Sequence, residues 1–161
     1  MANTVERKSE VYGMAQTVVL ILFAAAVFFG PAIPILPSGR ISWTIGSVFC
    51  AAGIVLLVAA IARIGQSIQI APEPKKNATL VTSGVYRWFR HPIYTSIVMI
   101  VVGLFLRKPA LATAVAGVLV IIFLVIKVRF EEKLLRARYP EYSAYMERSI
   151  GILPWPRRLT R

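Results

Sequence analysis

The stretch richest in reactive side chains is Gly84-Val85-Tyr86-Arg87-Trp88-Phe89-Arg90-His91-Pro92-Ile93-Tyr94. It gathers a glycine, two arginines, the single histidine and several aromatics immediately before a long apolar run. Proline suits the first position of a helix and pushes the residue before it out of the helical region. A helix should therefore begin near Pro92, with His91 at its N-cap. Unpaired N–H groups and the positive end of the helix dipole, joined by Arg87 and Arg90, would hold an anion there. An interfacial belt of Trp, Tyr and Arg at a membrane boundary has the same composition and no such role.

A second cluster, Lys127-Val128-Arg129-Phe130-Glu131-Glu132-Lys133-Leu134-Leu135, follows another apolar run. Adjacent residues on a helix point about 100° apart, so only one of the two glutamates should face a pocket squarely. Glu132 pairs with Arg136 at i,i+4, a solvated arrangement, whereas Glu131 has Leu135 at that spacing and is the inward candidate. The plain alternative is two ordinary juxtamembrane charges. Further on, Tyr139-Pro140-Glu141-Tyr142-Ser143-Ala144-Tyr145 starts a helix at a proline and sets Tyr142 and Tyr145 on one face. Their rings could attract a cation or anchor the helix at the interface, and anchoring is the expected role of at least one.

The elements that must position these clusters are membrane helices. Hydrophobic residues make up 57% of the 161 positions and charged residues 16%, against roughly 45–50% and about 25% in soluble domains. The composition argues against a water-soluble monomer. The net charge of +12 sits in short blocks between uncharged runs, which excludes a soluble nucleic-acid-binding domain and suits anionic lipid headgroups. The lone Cys50 lies inside an apolar run, so neither a disulfide framework nor a cysteine metal site is available.

Four apolar runs cover residues 11–29, 41–62, 93–106 and 110–126. The first, second and fourth have roughly the 17–25 residues that a hydrocarbon core about 30 Å thick requires. The third, about 21 Å long as a helix, is short. Joined to the fourth by Arg107-Lys108-Pro109, it should form an antiparallel hairpin. The first run is read as mature structure, since no small-x-small cleavage site follows it. Alternate sides of the membrane then carry 16 and 3 of the 19 Lys and Arg residues, which places both termini and the long connection from Arg63 to His91 in the cytoplasm. The expected architecture is all-α: an integral membrane protein with about four transmembrane helices and a cytoplasmic C-terminal helical segment. Pro72, Pro74, Lys75, Lys76 and Asn77 mark the flexible turn. Small residues (Ala24, Ala25, Ala26, Gly46, Ala51, Ala52, Gly53) allow close helix contact within one chain or in a homo-oligomer.

Taken in order, G-x-Y-x-x-x-R-H-P-x-Y at 84–94, R-x-E-E-x-x-L at 129–135 and Y-x-x-Y at 139–142 resemble the isoprenylcysteine carboxyl methyltransferase family and its bacterial, phospholipid methyltransferase-like relatives. The resemblance covers about residues 78–155. It implies one membrane methyltransferase domain over 1–161, with transmembrane helices in 1–63 and a cofactor-binding catalytic half in 78–155. The implied cofactor is S-adenosylmethionine, leaving as S-adenosylhomocysteine. Carried over residue by residue, Arg90 and Glu131 would form the catalytic pair. Leu80, Val81, Gly84, Tyr86, His91, Pro92, Tyr94, Glu132 and Tyr142 would bind the cofactor, with Leu80 to Tyr86 closing over it, and no metal is implied. The acceptor would be a lipophilic small molecule or lipidated group in the bilayer, a carboxylate as in isoprenylcysteine O-methylation. Only two helices precede the motif half, fewer than in eukaryotic members, which leaves the acceptor open. The implied location is a multi-pass protein of a bacterial inner membrane.

Elementary chemistry is compatible with that reading. Methyl transfer is an in-line displacement that turns a sulfonium into a thioether, so alignment and electrostatics carry it. A carboxylate acceptor is already ionised, and Arg90 could grip it with two hydrogen bonds. An amine or phenol would need a base, for which Glu131 or His91 could serve. Two other readings compete. An NADPH-dependent enzyme like the sterol reductases would want more clustered cations than Arg87 and Arg90. A non-enzymatic membrane scaffold using the basic tail (Arg148, Arg157, Arg158, Arg161) would not need a histidine and two arginines at one helix start.

Overall fold

The computed structural model describes residues 2–67 and 80–152. Its described elements are α1 (Ala2–Phe29), α2 (Arg40–Ser67), a 3-10 turn (Gly84–Arg87), α3 (Pro92–Arg107), α4 (Leu111–Arg138) and α5 (Tyr142–Arg148). The all-α architecture and the α3–α4 hairpin are as expected. Among the described residues three stretches are long and apolar enough to cross a bilayer: Glu10–Phe29, Arg40–Gly65 and Leu111–Arg138. The count of four is not reached by length, because α3 has 16 residues and reaches only about 24 Å at 1.5 Å per residue. The proline-rich turn at 72–77 and the tail arginines Arg157, Arg158 and Arg161 lie outside the described residues.

Helices run past the apolar stretches that announce them. Nothing between Ile126 and Leu135 breaks a helix, so α4 continues unbroken through both glutamates to Arg138. Tyr139 closes it, and its N–H donates back to the Leu135 carbonyl at 2.9 Å.

The short α3 is held by glycines. It packs most extensively against α2, where a Cβ on Gly46 would stand 2.5 Å from the Gly103 carbonyl oxygen and one on Gly103 2.6 Å from Cys50 Sγ. Gly53 backs onto the Ser96 carbonyl at 2.9 Å in the same sense. These close approaches bring the backbones together as small residues do in membranes. They show Gly46 and Gly53 used within the chain, while Ala24, Ala25, Ala51 and Ala52 are exposed. Phe23, Val98, Val101, Val120, Leu124, Val128 and Ile152 form the buried core between α1, α3, α4 and the C-terminal segment.

Both ends of the hairpin are tied down. At one end, Lys108 Nζ donates 2.7 Å to the Val27 carbonyl, satisfying an acceptor in the last turn of α1 where the helix dipole favours a cation. Leu111 and Ile35 exchange backbone hydrogen bonds with Ile33 and Pro109. At the other end, residues 88–90 pair with Ile150: Arg90 N–H donates to the Ile150 carbonyl and Ile150 N–H to the Trp88 carbonyl, each at 2.8 Å. Thr95 Oγ1 donates to the Ile152 carbonyl at 3.1 Å. The segment before α3 is thereby fastened to the segment after α5.

Candidate functional site

Pro92 begins α3 and His91 stands at its N-cap, as proline chemistry requires. His91 is buried, 7% exposed, and its ring stacks on Tyr94 with centroids 5.6 Å apart. Tyr94, one turn into α3, donates its hydroxyl to Glu131 Oε1 of α4 at 2.6 Å. His91 Nδ1 lies 3.8 Å from Glu131 Oε2 and His91 Nε2 lies 3.5 Å from Glu132 Oε1. The loop before α3 and the exit of α4 therefore meet.

Glu132 does not take the solvated pairing with Arg136. Its side chain is 15% exposed against 31% for Glu131, and its Oε1 accepts from Arg90 Nε at 3.0 Å. Both glutamates face protein because different elements meet them: the cavity receives Glu131, and Arg90 on the folded-back loop reaches Glu132. Arg90 Nη1 also donates to the Met146 and Ser149 carbonyls at 3.0 and 2.5 Å, capping the end of α5. With Nε and Nη1 engaged, Nη2 is the remaining amino group, and a two-pronged grip on a carboxylate is not open to Arg90 in this arrangement.

Tyr142 and Tyr145 are both buried, at 1% and 2% exposure. Neither anchors α5 at an interface, because α5 lies against the 3-10 turn and the two rings pack edge to face with centroids 5.9 Å apart. Tyr145 donates its hydroxyl to the Tyr86 carbonyl at 2.5 Å. Burial pushes the phenols of Tyr86 and Tyr142 above their ordinary range and that of Tyr145 up to about 12, so all three stay neutral at physiological pH.

These groups enclose a cavity of about 470 Å³ whose wall includes Leu80, Val81, Tyr86, Arg90, His91, Pro92, Tyr94, Glu131 and Tyr142. Two residues named from sequence are not on that wall. Glu132 stands behind Arg90 and His91, and Gly84, at φ 63, starts the 3-10 turn beside a separate groove with Arg87, Trp88 and Arg148. Only glycine takes that φ without strain. Gln16, Ile64, Lys127, Leu135 and Tyr139 also line the cavity and are not among the site residues expected from the sequence. The signal for two of them was available, since Gln16 interrupts an apolar run and Lys127 ends one. Among the described residues no cluster of histidine, cysteine or carboxylates could hold a metal.

The model of the family described as phospholipid methyltransferase matches residues 41–142. The chain belongs to the phospholipid methyltransferase family. That match takes in α2, the hairpin and the start of α5, hence every wall of the cavity except Gln16 and Tyr145. Among solved structures, this family member is similar to the eukaryotic intramembrane Ras methyltransferase ICMT, isoprenylcysteine carboxyl methyltransferase. The TM-score is 0.59 and the identity 26%, over 91% of this chain and 53% of that one. The cobalt-zinc-cadmium resistance protein CzcN of Cupriavidus metallidurans is 35% identical over 81 residues, half of this chain and 38% of CzcN. The chain thus spans about half the length of the solved relative and matches less of the curated one. The resemblance read from the motifs holds at the level of family and membrane fold.

Proposed function

We propose that this member of the phospholipid methyltransferase family is an integral membrane methyltransferase that takes S-adenosylmethionine in the cavity between the loop at His91 and the exit of α4. Its acceptor is lipophilic and bears a carboxylate. The observation that carries this reading is a buried polar atom at the site, Tyr142 Oη, that has no hydrogen-bond partner among the described residues, beside a His91 Nε2 whose acceptor, Glu132 Oε1, stands 3.5 Å away. A buried polar group left unsatisfied costs about 1–3 kcal/mol, so a ligand with polar atoms of its own fits the cavity. Aromatic rings and the Glu131 carboxylate suit a cationic ligand, and Leu80, Val81, Ile93 and Leu135 supply apolar wall.

When bound, S-adenosylmethionine supplies an electrophilic methyl group: its C–S bond breaks as a C–O bond to the carboxylate forms, leaving a neutral thioether and a neutral ester. No proton has to move, so the protein's tasks are to align, exclude water and balance charge. Tyr94 holds Glu131 in one orientation through its hydroxyl. Arg90 holds α5, and with it Tyr142 and Tyr145, against the cavity, while Glu132 keeps the Arg90 guanidinium in place. Arg90 and Glu131 are thus the proposed central pair, the first acting through the wall it fastens and through Nη2, the second through its charge. The apolar side chains keep water from the transferring methyl.

The test is transfer of a radiolabelled methyl group from S-adenosylmethionine into the lipid-extractable fraction by purified protein in nanodiscs. Label that becomes base-labile, as an ester is, supports the proposal, and Glu131→Ala abolishes it. Absence of any label transfer by folded protein contradicts it.

A further inference from the structure

One cationic group on the cavity wall has no part in the roles assigned above. Lys127 is the first charge after the apolar run of residues 110–126 on α4, and its side chain is only 13% exposed. Its Nζ donates to Gln16 Oε1 of α1, stands 3.8 Å from Glu131 Oε1 and lies 5.3 Å from the Tyr94 ring centroid. An ammonium held this far from water is costly unless it is paired and hydrogen-bonded. A mere fastening of α1 to α4 would be cheaper with two uncharged polar groups, and it would not need to open on the cavity as Lys127 and Gln16 do.

Charge counting says what Lys127 is for, given the function proposed above, on which this inference rests. Arg90 is paired with Glu132 behind it and Lys127 with Glu131, so the two ion pairs at the cavity cancel. A sulfonium donor carries one net positive charge, since its ammonium and carboxylate cancel. A site that is poor in water tolerates uncompensated charge badly, so neutrality requires an acceptor with one negative charge. Arg90 has spent Nε and Nη1 on Glu132 and α5. Gln16 takes one of the three Lys127 N–H donors, leaving donors beside Glu131. We propose that Lys127, steered by Gln16, is the specificity-determining residue for the acceptor: its ammonium receives an anionic oxygen of a lipophilic acceptor. Gln16 lies outside the matched family region of 41–142, so α1 would set acceptor choice separately from the cofactor site.

The experiment measures equilibrium binding of radiolabelled decanoate and of decylamine to the protein in nanodiscs of zwitterionic lipid, with empty nanodiscs subtracted. Sinefungin, an unreactive analogue that keeps the donor's positive charge, is present throughout, and its own affinity is measured by calorimetry. The wild type should prefer decanoate. Lys127→Met should weaken decanoate about tenfold or more, the size of one charge-assisted hydrogen bond, while sinefungin, a cation then facing an unpaired Glu131, binds as tightly or more tightly. Lys127→Arg should keep most decanoate affinity, which a purely steric role would not allow, and Gln16→Leu should fall between. Replacing sinefungin by uncharged-at-sulfur adenosylhomocysteine should weaken decanoate in the wild type. Undiminished decanoate binding by Lys127→Met overturns this inference while leaving the proposed function standing, and wild-type preference for decylamine overturns it together with the carboxylate acceptor, leaving only the donor site. Failure of sinefungin to bind at all overturns both.

Discussion

Removing the Arg90 side chain should loosen the end of the molecule that carries α5 by an amount the structure sets. Arg90→Ala deletes three hydrogen bonds: one to Glu132 Oε1 at 3.0 Å and two to the Met146 and Ser149 carbonyls at 3.0 and 2.5 Å. Bonds of this kind to a charged group contribute about 1.5–3 kcal/mol each, but they share one guanidinium and do not add. Leaving Glu132 without its cation costs about 3–5 kcal/mol for a fully buried pair, reduced here because Glu132 is 15% exposed. The expected destabilisation is therefore about 3 kcal/mol, or about 6–12 °C in Tm for a chain of this size. Arg90→Lys, whose single nitrogen cannot serve all three acceptors, should lose about half as much. Combining Arg90→Met with Glu132→Gln should recover part of the loss, because no charge is left unpaired. Thermal unfolding in detergent, with protease accessibility of the 146–149 segment as a local probe, reads all three. An Arg90→Ala protein that melts with the wild type and protects that segment equally would refute the assignment of Arg90 as the clamp on α5.

Tyr142→Phe removes a hydroxyl with no partner among the described residues, so Tm should hold or rise slightly while adenosylhomocysteine affinity falls about tenfold, as one hydrogen bond allows. Equal affinity for the two proteins would leave the orphan hydroxyl without a role. Gly103→Ala puts a methyl 2.6 Å from Cys50 Sγ and the Gly46 carbonyl, and should cost about 1–3 kcal/mol through overpacking; an unchanged Tm would mean that α2 and α3 are not in that contact. The pH dependence follows from the buried phenols. Tyr86, Tyr142 and Tyr145 have folded values above the ordinary 10.0, the last about 12. Folding thus favours their protonated forms, and that stability is fully present below pH 10 and is lost as pH rises through about 12. Tyrosinate absorbance followed with Tm from pH 9 upward checks it, and titration of all tyrosines near 10 with no loss of Tm would count against their burial.

Much of this was readable before any coordinates. Apolar run length and basic-residue asymmetry report on the bilayer, a solvent with one dominant rule, so the helices and the hairpin follow from composition. Pro92 fixed the start of α3 through covalent geometry alone. What could not be read depends on which elements meet. Glu132 looked solvated beside Arg136 because helical spacing describes one helix, and its true partner, Arg90, arrives from a loop 42 residues away. Interfacial anchoring is the expectation for at least one of Tyr142 and Tyr145 because nothing local announces that Tyr145 bonds to the 3-10 turn or that both rings are buried. Gln16 and Lys127, 111 residues apart, are legible only as a polar residue inside one apolar run and a charge at the end of another, and their joint place on one cavity is a matter of how α1 packs on α4.

The most direct measurement is calorimetric titration of adenosylhomocysteine into the purified, folded protein. The account predicts saturable binding of one equivalent per chain, weakened by Tyr142→Phe and by Glu131→Ala. No heat above dilution, from protein whose melting transition is intact, would contradict the claim that the cavity at His91, Glu131 and Tyr142 is a donor site.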